Sequence, residues 1–208
     1  ITIIGASAGV GFETVKRALE RNHQVTSLSR SEIALPSNKN LITLKGSATN
    51  KTDLKKSIEN ADAVIVALGT GKSMKATTLY SDFAKLLSEV QQETNTQFPF
   101  IILTGFGAGE SGKSNGFIMK LFFKFLLKDV YADKTKMEEI ITNSNIKWEI
   151  VRPGILKDKP LTEKYRVETT LFKGINIGGI NRADVADFLV KQAENPTELF
   201  KYPALSNQ

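Results

Sequence analysis

Three glycines near the start of the chain, Gly5, Gly9 and Gly11, have the spacing of a phosphate-binding turn. They follow a short apolar run at residues 1–4, which predicts a buried strand, and they precede a helical pattern. In such a turn the first glycine permits a tight bend, the second lets the backbone approach a diphosphate, and the third lets the helix pack closely on its strand. Free N–H groups at the helix N-terminus then face the phosphates. The sequence therefore predicts a dinucleotide site; the alternative is a strand-to-helix turn that binds nothing.

The residues after the second predicted strand, 24–29, indicate which dinucleotide is bound. A site for NAD usually has an acidic residue there, which binds the 2′-hydroxyl of the adenosine ribose. This chain has Arg30 between Ser29 and Ser31, and no acidic residue before Glu32. Because a guanidinium group makes paired, charge-assisted hydrogen bonds to phosphate oxygens, this pattern favours the 2′-phosphate of NADP. An exposed loop arginine without a ligand is the alternative.

The composition is ordinary for a soluble globular domain: 208 residues, 41% of them hydrophobic and 24% charged. No apolar run approaches the ~20 residues that a membrane-spanning helix needs. The absence of cysteine excludes disulfides, thiol catalysis and cysteine-ligated metals. It also suits a cytoplasmic enzyme. We therefore expect a cytoplasmic protein without a membrane span, present as a monomer or a homodimer.

The histidine content and the net charge narrow the choice of partners. His23 is the single histidine and is predicted near a surface turn, so we expect no histidine-based metal site or catalytic triad. The net charge is +6, but the lysines are spread along the chain and no nucleic-acid-binding motif is present. A mild positive excess also suits an anionic cofactor and an acidic substrate. We expect a small-molecule partner, and neither nucleic acid nor a metal ion.

Strands and helices alternate along the chain, as a doubly wound parallel sheet requires. The predicted strands are 1–4, 24–29, 41–45, 63–68, 98–104 and 147–151. After the helix that follows the glycines, the predicted helices are 52–58, 78–93, 131–143 and 182–194. Thr52 and Asp53 are expected to cap the second helix, and Asn181 the last one, with Asp184 three residues on. The order predicts one α/β domain over residues 1–208, with a Rossmann fold of the NAD(P)-binding kind.

Sheets of this class bind ligands beyond the carboxyl ends of their strands. The glycine-containing loops at 69–71 and 104–111 follow the fourth and fifth strands, so we expect them to form the nicotinamide and substrate walls. Residues 105–128 and the C-terminal part, about 153–208, are expected to contribute the substrate pocket. Phe106 is a candidate for the wall that contacts the substrate.

Residues 117–128 form an unusual segment that is rich in phenylalanine and lysine. Its apolar residues share one helical face, while lysines recur at four-residue spacing on another. We favour a lid or a wall of the substrate pocket, with Phe117, Phe122 and Phe125 against the substrate. A dimer contact or core packing is the first alternative, and a membrane-surface helix is the second.

The chain resembles the atypical short-chain dehydrogenases, in the NAD(P)-binding group that includes NmrA-like proteins and biliverdin-IXβ reductase, which is also a flavin reductase. The resemblance covers nearly the whole length. Besides the glycine turn and Arg30, it rests on five short motifs. They are Gly-Ser-Ala-Thr at 46–49, Ala-Thr-Thr-Leu-Tyr-Ser at 76–81, Arg-Pro-Gly at 152–154, Lys-Pro-Leu-Thr at 159–162 and Asn-Arg-Ala-Asp-Val-Ala at 181–186.

The resemblance implies cofactor-binding roles for residues at matching positions. The diphosphate would be held by Ser7, Ala8, Gly9 and Val10, and the 2′-phosphate by Arg30. Ser47, where many relatives have Asp, and Ala48 would border the adenine. The nicotinamide side would be lined by Leu68, Gly69, Thr70, Gly71 and Thr104, and completed by Pro153, Gly154 and Ile155.

Many members of the superfamily use a Tyr-x-x-x-Lys pair, and this chain departs from that motif. Counted back from the Arg-Pro-Gly motif, Lys134 has the lysine position, but Val130 has the tyrosine position. Tyr131 is one residue off, a rotation of about 100° around a helix. Thr104 and Lys134 remain the candidate catalytic residues. Lys134 would bind a ribose hydroxyl or an acidic substrate group; the alternative is a solvated helix lysine.

The departure from the motif favours an acceptor that needs no acid supplied by the enzyme. Flavins, quinones and bilins are electron-poor conjugated molecules that take a hydride and then a proton from water, so orientation and desolvation suffice. We therefore predict an NADP-dependent reductase that transfers hydride from NADPH to such an acceptor. The main alternative is an NmrA-like regulator that binds NADP without turnover. A sugar-nucleotide epimerase would need the missing pair and a larger substrate domain.

Overall fold

A central eight-stranded sheet is the middle layer of the computed structural model, which describes residues 1–71, 76–113, 128–170, 172, 175 and 177–208. The strands of this sheet and of a small second sheet are β1 (Thr2–Ile4), β2 (Val25–Ser29), β3 (Leu41–Lys45), β4 (Val64–Val66), β5 (Phe100–Leu103), β6 (Trp148–Pro153), β7 (Ile155–Lys157), β8 (Tyr165–Glu168), β9 (Gly179–Asn181) and β10 (Ala204–Asn207). The large sheet has the order β3-β2-β1-β4-β5-β6-β10-β8, and β7 pairs with β9. Every pairing is parallel except β10 with β8. The first six strands have the order typical of a Rossmann sheet, so the predicted fold class is confirmed.

Helices cover both faces of the sheet. They are α1 (Gly9–Glu20), α2 (Lys51–Ile58), α3 (Leu79–Thr94), α4 (Lys128–Thr142) and α5 (Arg182–Glu194). Val15 of α1 and Val185 of α5 belong to the core on one face, whereas Leu54, Phe83 and Met137 of the other helices belong to the core on the opposite face. In the part of the chain that the structure describes, no helix is long and apolar enough to span a bilayer.

The central strands are apolar at successive positions because both of their faces are buried. Ile3 and Ile4, which are neighbours on β1, belong to the two different core clusters, and both are fully buried. Successive side chains of a strand point to opposite faces, so a strand between two helical layers needs apolar residues at every position. This explains the short apolar runs that predicted the first strands.

Four strands after residue 153 were not predicted. β7 and β9 have three residues each, and β8 and β10 have four, which is too short for an alternating pattern to stand out. β8 is also half-exposed, and its residues include Arg166 and Glu168. Their pairing depends on contacts between distant parts of the chain rather than on local sequence.

The predicted cap of α2 is wrong. The helix begins at Lys51, and Asn50 caps it by accepting a hydrogen bond from the Asp53 backbone N–H at 3.1 Å. Asp53 instead turns back, and its carboxylate accepts from the backbone N–H of Ser47 at 2.8 Å. An asparagine two residues before the predicted cap is an equally good acceptor, so the cap position was not determined by residue type alone.

Candidate functional site

A cavity of about 590 Å³ lies at the carboxyl ends of β1, β2, β4 and β5. Most of the residues predicted to bind the cofactor lie along it. These are Gly5, Ser7, Ala8, Gly9, Val10, Ser29, Arg30, Ser47, Ala48, Leu68, Gly69, Thr70, Gly71 and Thr104, together with Lys134. The strand ends therefore bring loops from the first 134 residues into one site, as expected for a sheet of this order.

The glycine turn has the geometry that its spacing predicted. Gly5 has a φ of +88°, and a Cβ there would lie 2.5 Å from the carbonyl oxygen of Ala67. A Cβ on Gly11 would collide with the carbonyl oxygen of Gly5, so this glycine lets α1 approach β1 closely. Gly11 packs behind the turn and does not line the cavity. Gly9 has a φ of +56°, and among the described residues a Cβ there would meet only the flexible side chain of Arg182, so no other segment of backbone covers it.

The N-terminus of α1 is open toward the cavity. Ala8, the residue before the helix, gives no side-chain cap, and the first turn contains no acidic residue. The first N–H groups of the helix therefore keep their hydrogen-bonding capacity, and the helix dipole adds partial positive charge. This is the arrangement that binds phosphate groups in Rossmann folds.

The residues predicted to bind the adenosine lie on the loops after β2 and β3, at one end of the cavity. Arg30 is exposed at the rim, and among the described residues it forms no hydrogen bond or ion pair. Ser29 next to it donates from its hydroxyl to the Ser31 carbonyl at 2.7 Å. On the neighbouring loop the Asp53 carboxylate lies against Gly46 and holds the backbone of Ser47. This contact fixes the loop that would border the adenine.

The described residues that line the cavity include three cations and no carboxylate. The cations are Arg30 at the rim, Lys134 on α4 and Arg182 at the start of α5. Arg182 was not predicted from the sequence, because it lies more than 170 residues from the glycine turn that it approaches. A cavity with this balance attracts anions.

Lys134 is held between two aromatic rings. Its Nζ donates to the backbone carbonyl of Thr104 at 2.7 Å and lies 5.3 Å from the ring centre of Tyr80 and 5.1 Å from that of Tyr131. Burial lowers the pKa of Lys134 to about 8, against the opposing attraction of Glu138. The ammonium group is thus charged at neutral pH and loses its charge in mildly alkaline solution. These contacts exclude the freely solvated lysine that was the alternative.

Two tyrosines of the cavity were missed by the sequence analysis. Tyr131 lines the cavity although it is one residue away from the motif position, and burial raises the pKa of its phenol to about 12. Burial also raises the pKa of Tyr80, which hydrogen-bonds Thr70. Tyr80 belongs to a motif that was quoted for the resemblance, so that motif was the available signal.

The Thr104 hydroxyl faces the protein interior. Its Oγ1 donates to Oε1 of Glu138 at 2.7 Å, and Arg152 donates to the same carboxylate from Nε at 3.2 Å and from Nη2 at 2.7 Å. The Arg152 guanidinium also stacks on the ring of Tyr202, 4.1 Å from its centre. Glu138 and Arg152 are both buried. Thr104 therefore connects this ion pair to Lys134, because its hydroxyl donates to Glu138 and its backbone carbonyl accepts from Lys134.

Several predicted residues differ from expectation. Among the described residues Pro153, Gly154 and Ile155 do not line this cavity; the chain enters β7 there, and Leu156 is the residue that reaches it. The reason is strand alternation, which leaves Ile155 exposed on the other face. Phe106 does not reach the cavity either.

Phe106 packs instead in a small apolar cluster with Ile175 and Ala204, and it is 6% exposed. The proposed phenylalanine wall of Phe117, Phe122 and Phe125 lies outside the described residues, as does nearly all of the segment 117–128. The expectation for that segment stays a prediction.

The fold and the glycine turn define the class: a Rossmann protein with a dinucleotide-type cavity at its strand ends. A family described as NAD(P)H-binding matches residues 5–196. The chain belongs to this NAD(P)H-binding family, and the resemblance inferred from its motifs is confirmed.

Solved structures from three bacteria share the fold. A Streptococcus pneumoniae protein whose name proposes an NADH-flavin reductase has 24% identity and a TM-score of 0.78, covering 100% of this chain and 98% of that one. ChuY of Escherichia coli O157:H7, an anaerobillin reductase, has 19% identity and a TM-score of 0.76, covering 99% and 96%. A short-chain dehydrogenase/reductase of Veillonella parvula in complex with NADP has 18% identity and a TM-score of 0.80, covering 99% and 93%. At these identities the likeness concerns the fold.

Proposed function

We propose that this protein is an NADPH-dependent reductase that transfers hydride to a flat, conjugated acceptor such as a flavin, a quinone or a bilin. The observation that carries the proposal is the cavity at the glycine turn, whose described lining has three cations and no carboxylate. NAD sites of this fold usually have an acidic residue for the ribose 2′-hydroxyl, and here Arg30 has that place. An arginine without an internal partner suits the dianionic 2′-phosphate.

Named residues would hold each part of the cofactor. The backbone at Gly9 and the open N-terminus of α1 suit the diphosphate, and Arg30 suits the 2′-phosphate. The loop at Ser47 and Ala48 borders the adenine side, while Leu68–Gly71 and Thr104 border the nicotinamide side. When bound there, NADPH supplies the hydride.

The residues at the nicotinamide end suit positioning of an acceptor. Tyr80 and Tyr131 flank Lys134, and the partly exposed Tyr131 gives the cavity aromatic surface beside one cation at this end. The Tyr131 ring suits contact with a flat conjugated molecule, and the ammonium group suits a ribose hydroxyl or an acidic substituent of the acceptor. A hydride acceptor of this kind takes its proton from water, so these residues need only orient it and exclude bulk solvent. The names of two structural neighbours, a flavin reductase and a bilin-type reductase, are in line with this acceptor class.

The test follows NADPH absorbance with FMN, riboflavin, a benzoquinone and biliverdin as acceptors, in the wild-type protein and in Arg30→Ala. We expect turnover with at least one acceptor. Loss of the charged contact to the 2′-phosphate should raise KM for NADPH by roughly tenfold or more and leave KM for NADH within about twofold.

Two results would contradict the proposal in different ways. Tight NADPH binding without oxidation of any acceptor would indicate the non-catalytic NADP-binding regulator. Equal effects of Arg30→Ala on NADPH and NADH would refute the cofactor assignment while leaving the reductase activity intact.

A further inference from the structure

Arg182 reaches the glycine turn from the far end of the chain. It is the first residue of α5 and lines the cavity. Its Nε is the nearest atom in front of Gly9, 3.8 Å from where a Cβ would stand. Gly9 is also the residue whose backbone is open for a diphosphate. The guanidinium therefore lies beside the place where the phosphates are expected, at the start of a helix that packs against α1.

The small second sheet explains how Arg182 comes to this place. In the register of β7 with β9, Lys157 lies opposite Asn181, so the next residues of both strands, Asp158 and Arg182, leave the sheet side by side. Nη1 of Arg182 donates to Oδ1 of Asp158 at 2.6 Å. Because one corner of the guanidinium is held in this way, Nε and Nη2 stay oriented as a pair.

The segment that carries Asp158 is itself anchored. Asp184, which is fully buried on α5, accepts hydrogen bonds from the backbone N–H groups of Thr162 at 2.7 Å and Glu163 at 2.9 Å. It also accepts from the Thr162 hydroxyl at 2.9 Å. The loop from β7 onward is thus fixed at both ends to the elements that carry Arg182. This lowers the conformational entropy that Arg182 loses when it binds an anion.

The charge of the turn favours the same assignment. Residues 5–11 contain no charged side chain, so the turn itself offers only N–H groups, the Ser7 hydroxyl and the dipole of α1 to a diphosphate. Arginine binds phosphate oxygens through two parallel N–H groups, and the Asp158 contact leaves Nε and Nη2 available for this geometry. The side chain of Asp158 is 86% exposed, so water screens its charge and the ion pair does not neutralise the arginine toward a ligand.

We infer that Arg182 is a binding residue for the diphosphate of the dinucleotide, and that Asp158 is the residue that positions it. The inference rests on the proposed dinucleotide site and adds a side-chain contact from the start of α5, the helix that packs beside α1. Three cations then have three targets: Arg30 the 2′-phosphate, Arg182 the diphosphate and Lys134 the nicotinamide end.

The test uses ligands that separate the phosphates. Dissociation constants of NADPH, ADP and 2′-AMP are measured for the wild type, Arg182→Gln, Arg182→Lys and the control Arg21→Gln. Arg21 is also paired with a carboxylate, Glu194, at 2.6 Å, but it does not line the cavity. Its substitution therefore gives the same change of charge at an unrelated place.

We expect Arg182→Gln to weaken NADPH and ADP by roughly tenfold or more and to leave 2′-AMP, which has no diphosphate, within about twofold. Arg182→Lys keeps the charge but loses the paired N–H groups, so its loss should be intermediate. Arg21→Gln should change none of the three constants. An unchanged affinity for NADPH in Arg182→Gln, or an equal loss for all three ligands in both Arg182 variants, overturns the inference. Failure of the wild type to bind NADPH and 2′-AMP would instead refute the proposed function.

Discussion

Replacing Glu149 by glutamine should stabilise the protein increasingly as the pH rises. Glu149 lies on β6 with no exposed surface, and neither carboxyl oxygen has a hydrogen-bond partner among the described residues. Burial, with a smaller contribution from Glu198, raises the pKa of this carboxyl from 4.5 to about 8. The folded protein therefore keeps Glu149 protonated at neutral pH, whereas the unfolded chain ionises it.

The sign and size of the effect follow from proton linkage. Below pH 4.5 both states are protonated and the carboxyl makes no pH-dependent contribution. Between the unfolded and folded pKa values only the unfolded chain releases the proton, so the free energy of unfolding falls by about 1.4 kcal/mol per pH unit. From pH 5.5 to pH 8 the free energy of unfolding falls by roughly 3 kcal/mol for this reason. The glutamine of the variant does not titrate, so it causes no such fall.

Urea unfolding of the wild type and Glu149→Gln at pH 5.5, 7 and 8.5 measures this difference. The cost of burying an amide does not depend on pH and cancels when the pH values are compared. Glu59→Gln is the control, because Glu59 is an exposed glutamate and its substitution makes the same chemical change outside the core. A difference between the wild type and Glu149→Gln that is flat with pH, or no larger than that of the control, would refute the reasoning, since the Glu149 carboxyl would then titrate alike in both states.

Two further predictions concern the buried ion pair of Arg152 with Glu138 and Lys134, which Thr104 links to this pair. Arg152→Met should lower the free energy of unfolding by about 3–5 kcal/mol, because it leaves the Glu138 carboxylate buried without its cation. Urea unfolding measures this, with Arg152→Met/Glu138→Gln expected to recover much of the loss; a cost below about 1 kcal/mol for the single variant would contradict a buried charged pair. The wild-type protein should bind NADPH more tightly than Lys134→Gln does, and the ratio of the two affinities should be largest near pH 6.5. The ratio should decline above pH 8, where Lys134 loses its charge. Fluorescence titrations from pH 6 to pH 9.5 test this, and a ratio independent of pH would exclude an electrostatic role for the ammonium group.

Local sequence was sufficient to predict which loops meet at the glycine-turn end of the cavity. The turn needs Gly5 for its positive φ and Gly11 for its close approach to the Gly5 carbonyl, and both requirements are local, so the spacing of these glycines appears directly in the sequence. Arg30 follows a strand whose end was easily located, so its place at the cavity rim could also be predicted. The central strands were equally accessible, because burial on both faces leaves an apolar run.

The other end of the site depends on contacts between distant segments, which local patterns do not encode. Arg182 reaches the turn through the register of two three-residue strands; the motif at 181–186 marked this residue but did not indicate where it lies. The loss of Phe106 from the predicted wall has a similar cause, since Ile175 and Ala204 bury it from elsewhere in the chain. Leu156 lines the cavity in place of its neighbour Ile155, because successive side chains of β7 point to opposite faces. This could not be predicted, since β7 itself was not predicted.

Tyr131 shows where a spacing rule was applied too narrowly. The motif places tyrosine and lysine four residues apart, but residues three apart also share a helix face, and Tyr131 and Lys134 both line the cavity. The two arrangements differ in chemistry. Here Nζ of Lys134 lies over the tyrosine ring and is held by a backbone carbonyl, and burial raises the pKa of Tyr131 to about 12. A phenol with so high a pKa is a poor proton donor at neutral pH. Reduction of a carbonyl to an alcohol needs an effective proton donor from the enzyme, whereas a conjugated acceptor obtains its proton from water. This geometry therefore favours the proposal of a conjugated acceptor.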